Sequence, residues 1–114
     1  MKKFELGLVI AERTLFWENK EEAKVSIRIG QPRPVDPDNK GTLYMCTYHI
    51  ENLGCLELPV EFRGGMDSIE ALQNVFVAIG ETLQYAQRKT GCKLRWGDSR
   101  NPRLGFPGCD LGDK

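Results

Sequence analysis

The sequence predicts an α+β domain: an antiparallel four- to five-stranded meander sheet packed on one long helix, in the order β-β-β-β-α-β. Three observations carry this expectation. Residues 64–91 hold both a start and a stop signal for a helix. The segments before it alternate apolar with polar residues, and the segments that join them are rich in Pro, Gly, Asn and Asp.

Phe4–Trp17 reads as the first strand, with a period that blurs at Ala11-Glu12-Arg13. Glu18-Asn19-Lys20-Glu21-Glu22 is a polar turn. Val25, Ile27 and Ile29 then alternate with Lys24, Ser26 and Arg28, which places one face of a second strand on a core. Gln31–Gly41 is a loop of turn residues. In Leu43–Ile50, Tyr44, Cys46, Tyr48 and Ile50 share one face, and Met45, Thr47 and His49 share the other. Asn52-Leu53-Gly54 is short enough for a hairpin tip. Leu56, Leu58, Val60 and Phe62 alternate with Glu57, Pro59 and Glu61, so the glutamates are expected on the outward face. Pro59 lacks an N–H and marks this strand as an edge or as bulged.

The helix is expected over Asp67 to about Thr90. Asp67 is a good N-cap, Glu70 completes a capping box, and Gly91 suits the left-handed stop. Ile69, Leu72, Val75, Phe76, Ile79, Leu83 and Ala86 form its apolar stripe. Gly80 inside it costs about 1 kcal/mol relative to Ala, which is expected to reflect close packing of the helix on the sheet or, alternatively, a kink. Lys93–Trp96 is a short fifth strand. Residues 1–96 therefore form a single α+β domain, and 97–114 an irregular Gly/Pro-rich tail with Leu104, Phe106 and Leu111 as its large apolar anchors.

Sixteen basic side chains balance sixteen acidic ones, which argues against a nucleic-acid partner. The apolar run Leu6–Ala11 lies between Glu5 and Glu12 and is too short for a signal h-region or a membrane span. No membrane association is expected, and a cytoplasmic location follows as the default. Cys46, Cys55, Cys92 and Cys109 are then thiols rather than disulfides.

No residue set reaches a catalytic, cofactor or metal signature. Cys46 and His49 are the one close Cys–His pair, but an odd offset on a strand puts them on opposite faces. Cys46 then reads as a small buried hydrophobe, and His49 as a surface histidine. No C-x-x-C pair exists to build a zinc site. Gly64-Gly65 lacks the lysine of a phosphate loop, and Asp67 would repel a phosphate there.

The uneven charge lies late in the chain, where Arg88, Lys89, Lys93, Arg95, Arg100 and Arg103 surround Trp96 against Asp98 alone. Such a stripe binds a phosphate backbone or an acidic protein surface; alternatively, two charges serve the helix dipole and the rest solvate a loop. Arg95, Trp96, Arg100 and Arg103, with His49, are the candidate interaction residues.

The pattern Tyr44-x-Cys46-x-Tyr48-x-Ile50-x-x-Leu53, then Gly64-x-x-Asp67-Ser68-x-x-Ala71-Leu72 and Ile79-Gly80-x-x-Leu83, resembles a family of small bacterial stand-alone domains of unknown function. Ala11-Glu12-Arg13-Thr14-Leu15 matches its opening strand. The resemblance covers most of residues 9–83 and implies a bacterial, cytoplasmic setting with no activity to transfer.

Taken together, these features lead to the expectation of a non-enzymatic, protein-binding or accessory domain. The alternative is a small-ligand binder or enzyme on the sheet face opposite the helix, around His49, with Met45, Thr47, Glu57 and Glu61 beside it. A pocket lined by His49 and either glutamate favours that ligand-binding or enzymatic alternative, and a flat solvated face removes it. Leu43, Met45 and Thr47 also leave an apolar stripe away from the helix, to be covered by the tail or by a second copy in a homodimer.

Overall fold

A long hairpin opens the fold, pairing β1 (Val9–Trp17) with β2 (Lys20–Gly30). The computed structural model describes residues 5–18, 20–36, 43–54, 57–97 and 104–107. In the antiparallel register Leu15 stands opposite Val25 and Arg13 opposite Ile27, so the odd-numbered residues of both strands share one face. The first strand starts at Val9 rather than at Phe4. Residues 5–8 cross the outer face of the sheet instead, where the Gln31 N–H donates to the Leu8 carbonyl at 2.9 Å.

The remaining strands are β3 (Arg33–Pro34), β4 (Tyr44–Glu51), β5 (Glu61–Gly65) and β6 (Leu94–Arg95), and all pair antiparallel. β3 lies inside the stretch read as a loop, because proline-rich extended chain can still pair at its free carbonyls. Tyr48 faces both Ile29 of β2 and Glu61 of β5, which puts those strands on opposite edges of β4. In space the strands therefore run β5, β4, β2, β1, β6, with β3 also paired to β4. The meander of the first long strands is as expected. The short last strand closes the far edge, where Phe16 pairs with Arg95 and Trp17 with Leu94.

Helix α1 (Ser68–Thr90) packs on β4 and β5 and carries the chain from one edge of the sheet to the other. Its start is capped as read: the Asp67 carboxylate accepts from the Glu70 N–H at 2.8 Å, and the Glu70 carboxylate accepts from the Met66 N–H at 2.6 Å. Gly91 adopts the left-handed stop at φ 74°, its N–H donating to the Gln87 carbonyl. The buried Gln87 side chain then accepts from the Leu94 N–H at 2.8 Å, tying the helix end to β6.

The core lies between sheet and helix. Leu15, Val25, Ile27, Cys46, Tyr48 and Ile50 meet Ala71, Val75, Ile79, Leu83 and Ala86. Gly80 is buried within that contact, as close packing requires. Ile69 departs from the expected stripe: it is 65% exposed, while Ala71 is the residue of the first turn that is buried, its backbone against Gly65 of β5.

Leu104 and Phe106 are also in this core, with the Phe106 ring 6.3 Å from that of Phe76 on the helix. They cover the helix side of β1, not the outer face; Leu111 lies outside the described residues. On the outer face the Thr47 hydroxyl donates to the Leu6 carbonyl at 2.8 Å and is itself buried, while Leu43 stays half exposed. Gly30 makes this possible, since a Cβ there would collide with Leu6 O and the Thr47 hydroxyl. The N-terminal segment thus covers Thr47.

Candidate functional site

Where β4 parts from β5, the sheet opens into a groove. Their ladder ends at the Tyr48–Glu61 pair, because Pro59 has no N–H to continue it and residues 57–60 run outside any strand. His49 spans the gap. Its Nε2 lies 3.1 Å from the Leu58 carbonyl, so that nitrogen carries the proton and donates.

The groove has a volume of about 760 Å³ and is lined by Lys24 and Ser26 of β2, His49 and Glu51 of β4, and Asn52 and Glu57 of the following turn. Asn52 is held in the left-handed region at φ 71°, and its amide donates to the Lys24 carbonyl at 2.8 Å. That bond fixes the wall of the groove to its floor. Arg28, directly across the ladder from His49, pairs with Glu51 at 2.8 Å and with Glu12 at 3.8 Å. Glu51 is therefore neutralised from beside the groove. Glu57 and Lys24 form no ion pair among the described residues and leave one free charge of each sign.

The sequence expectation for the glutamates is half met. Glu57 lines the groove with His49, whereas Glu61 stands opposite Tyr48 on the helix side, with Phe62 opposite Thr47 on the outer face. Counting a period of two through Pro59 assumes an unbroken strand; the strand starts only at Glu61, so the phase is lost.

Cys46 and His49 lie on opposite faces, as their spacing requires. The Cys46 thiol is fully buried, donates to the Gly30 carbonyl at 3.3 Å, and is pushed up to about 11 by burial. It is a packed, unreactive thiol. Cys92 is a free, half-buried thiol, and Cys55 and Cys109 lie outside the described residues. Among the described residues, no cluster of three or more His, Cys, Asp or Glu is placed to hold a metal, and no helix is long and apolar enough to cross a membrane.

Of the other candidate residues, Arg95 and Trp96 lie at the β6 edge, with two strands, β2 and β1, between them and His49 on β4. The Arg95 guanidinium stands 5.3 Å from the Phe16 ring and donates to the Gly97 carbonyl. Trp96 is half-buried against Arg13, whose guanidinium lies 3.8 Å from the indole centroid, 5.1 Å from the Phe106 ring and 3.1 Å from the Leu104 carbonyl it bonds. Burial lowers the Arg13 pKa. Arg100 and Arg103 lie outside the described residues.

Sequence reasoning passed over Arg13, Lys24, Ser26 and Asn52. Only Arg13 left a usable signal: it stands two and four residues before Leu15 and Trp17, which puts a cation on the core face.

A family model described as a domain of unknown function (DUF6968) matches residues 11–108. No curated protein and no solved structure matches the chain.

Proposed function

The chain belongs to the DUF6968 family, and we propose that it is a non-enzymatic binding domain that holds an extended protein segment in the groove around His49. The groove unites His49 with Glu57, the feature expected of a small-ligand site, but what supports a protein segment as its occupant is that it is open along the face away from the helix and carries charges of both signs. Small-molecule pockets are mostly apolar, with a few polar groups. This groove is open and polar, with Lys24 and Glu57 unpaired among the described residues, which suits a polar chain better than a compact ligand.

A basic side chain of the partner meets Glu57, and an acidic one meets Lys24. A bacterial cytoplasm is part of this reading, and the free thiols of Cys46 and Cys92 support a reducing compartment.

Selection of a random peptide library on the intact domain tests the proposal. Enriched peptides are expected to carry a Lys or Arg and to bind at least tenfold more weakly to Glu57→Lys, with the circular dichroism unchanged. No enrichment, or binding indifferent to Glu57→Lys and His49→Ala, overturns it.

A further inference from the structure

A second, smaller cleft lies on the other side of the sheet, between β1, β2 and the helix. Its volume is about 170 Å³, and Ile27, Ile29, Phe76 and Phe106 form its apolar wall. Arg13 closes one side. This guanidinium spends one donor on the Leu104 carbonyl and has no carboxylate partner among the described residues. A cation drawn partly out of water beside an apolar wall is an incomplete arrangement, since its remaining N–H groups favour an anionic acceptor.

From this juxtaposition we propose that the cleft binds a small aromatic carboxylate, its ring on Ile27, Ile29, Phe76 and Phe106 and its carboxylate on Arg13. The size agrees. An apolar cavity of about 150 Å³ in another protein takes up benzene, so this cleft has room for one ring and a carboxyl group. The geometry agrees as well: the planar guanidinium fork matches a carboxylate, and two aromatic rings hold it in place. Glu12, also at the rim, belongs to the opposite face of β1 from Arg13, standing across the ladder from Arg28. This site is separate from the groove at His49 and stands whether or not a protein segment binds there.

The test uses the full chain with benzoate as probe, followed by amide chemical shifts. Benzoate is expected to saturate with a dissociation constant of about 1 mM or below, shifting Ile27, Ile29 and Phe106 together. Benzamide, which keeps the ring and loses the charge, binds at least tenfold more weakly, and acetate produces no saturable shift. Arg13→Gln abolishes benzoate binding. Because that variant also disturbs the contact with Leu104, Ala11→Leu is the second probe. Ala11 is exposed at the mouth of the cleft, and the larger side chain fills it without entering the core. Ala11→Leu is expected to weaken benzoate at least tenfold while leaving the shift of Leu104, outside the cleft lining, in place. Equal binding of benzoate and benzamide, shifts scattered outside the cleft, or unchanged affinity in Ala11→Leu overturns the proposal.

Discussion

The guanidinium of Arg13 lies 3.8 Å from the centroid of the Trp96 ring, joining two segments far apart in sequence. The same group bonds the Leu104 carbonyl, so it holds both the end of β6 and the turn at 104–107 on the sheet. Arg13→Ala is therefore expected to cost about 1–2 kcal/mol, from the cation–π contact and the packing of its stem. Urea denaturation measures it, and a midpoint equal to that of the parent rejects this role.

Two glycines separate steric from conformational cost. Gly105 and Gly91 both have positive φ, at 82° and 74°. A Cβ on Gly105 would collide with the Arg13 guanidinium and come within 2.9 Å of Trp96, whereas one on Gly91 meets nothing within 4 Å. Gly91→Ala should lose about 1 kcal/mol from the left-handed backbone alone. Gly105→Ala adds crowding of about 1–3 kcal/mol, so its thermal midpoint should be the lower of the two.

Thr47 fastens residues 5–8 to the sheet. Thr47→Val keeps the volume but removes the donor to the Leu6 carbonyl, for an expected loss of about 1–2 kcal/mol. The local readout is hydrogen exchange at the Gln31 amide, which donates to Leu8 and should lose protection. Unaltered exchange there would mean that the segment is held by other contacts.

The buried thiol of Cys46 gives stability a pH dependence with a definite sign. Its pKa is raised from 9.0 to about 11 on folding, so the folded state retains its proton after the unfolded chain has lost it. That stabilisation is complete below pH 9 and is lost as pH rises through 11. Burial also raises Tyr48, which acts in the same direction at higher pH. Cys46→Ala should flatten the fall in thermal midpoint across this window. At pH 8, a thiol reagent should modify Cys92 well before Cys46.

The helix was legible because its signals are local: Asp67, Glu70 and Gly91 act on the backbone within one turn of themselves. The faces of β2 and β4 followed from strict alternation, which holds wherever a strand is unbroken. Alternation misplaced Glu61 and Phe62 because it was carried through Pro59, and helical periodicity misplaced Ile69 because the first turn buries Ala71 instead. His49 could be assigned to the outer face from its parity. Its groove could not be read, since its lining joins Asn52 and Gly54 with Glu57, Leu58 and Pro59, beside β2 and β4. Arg13 was hidden by distance, its partner carbonyl being 91 positions away.

The pairing of the first long strand with the last short one also sets an order of events. β1 and β2 meet across a short turn and are free to zip early, whereas Arg13 acquires its aromatic neighbours only when Trp96 and Phe106 are present. Contacts between residues so distant in sequence close late, after the loop entropy of the intervening chain has been overcome. During synthesis the β1 edge at Phe16 and Trp17 therefore stands open until Leu94 and Arg95 have left the ribosome. The alternating Val9–Leu15 stretch gains no pairing from β6, so its edge is exposed to pairing with a neighbouring chain both then and afterwards.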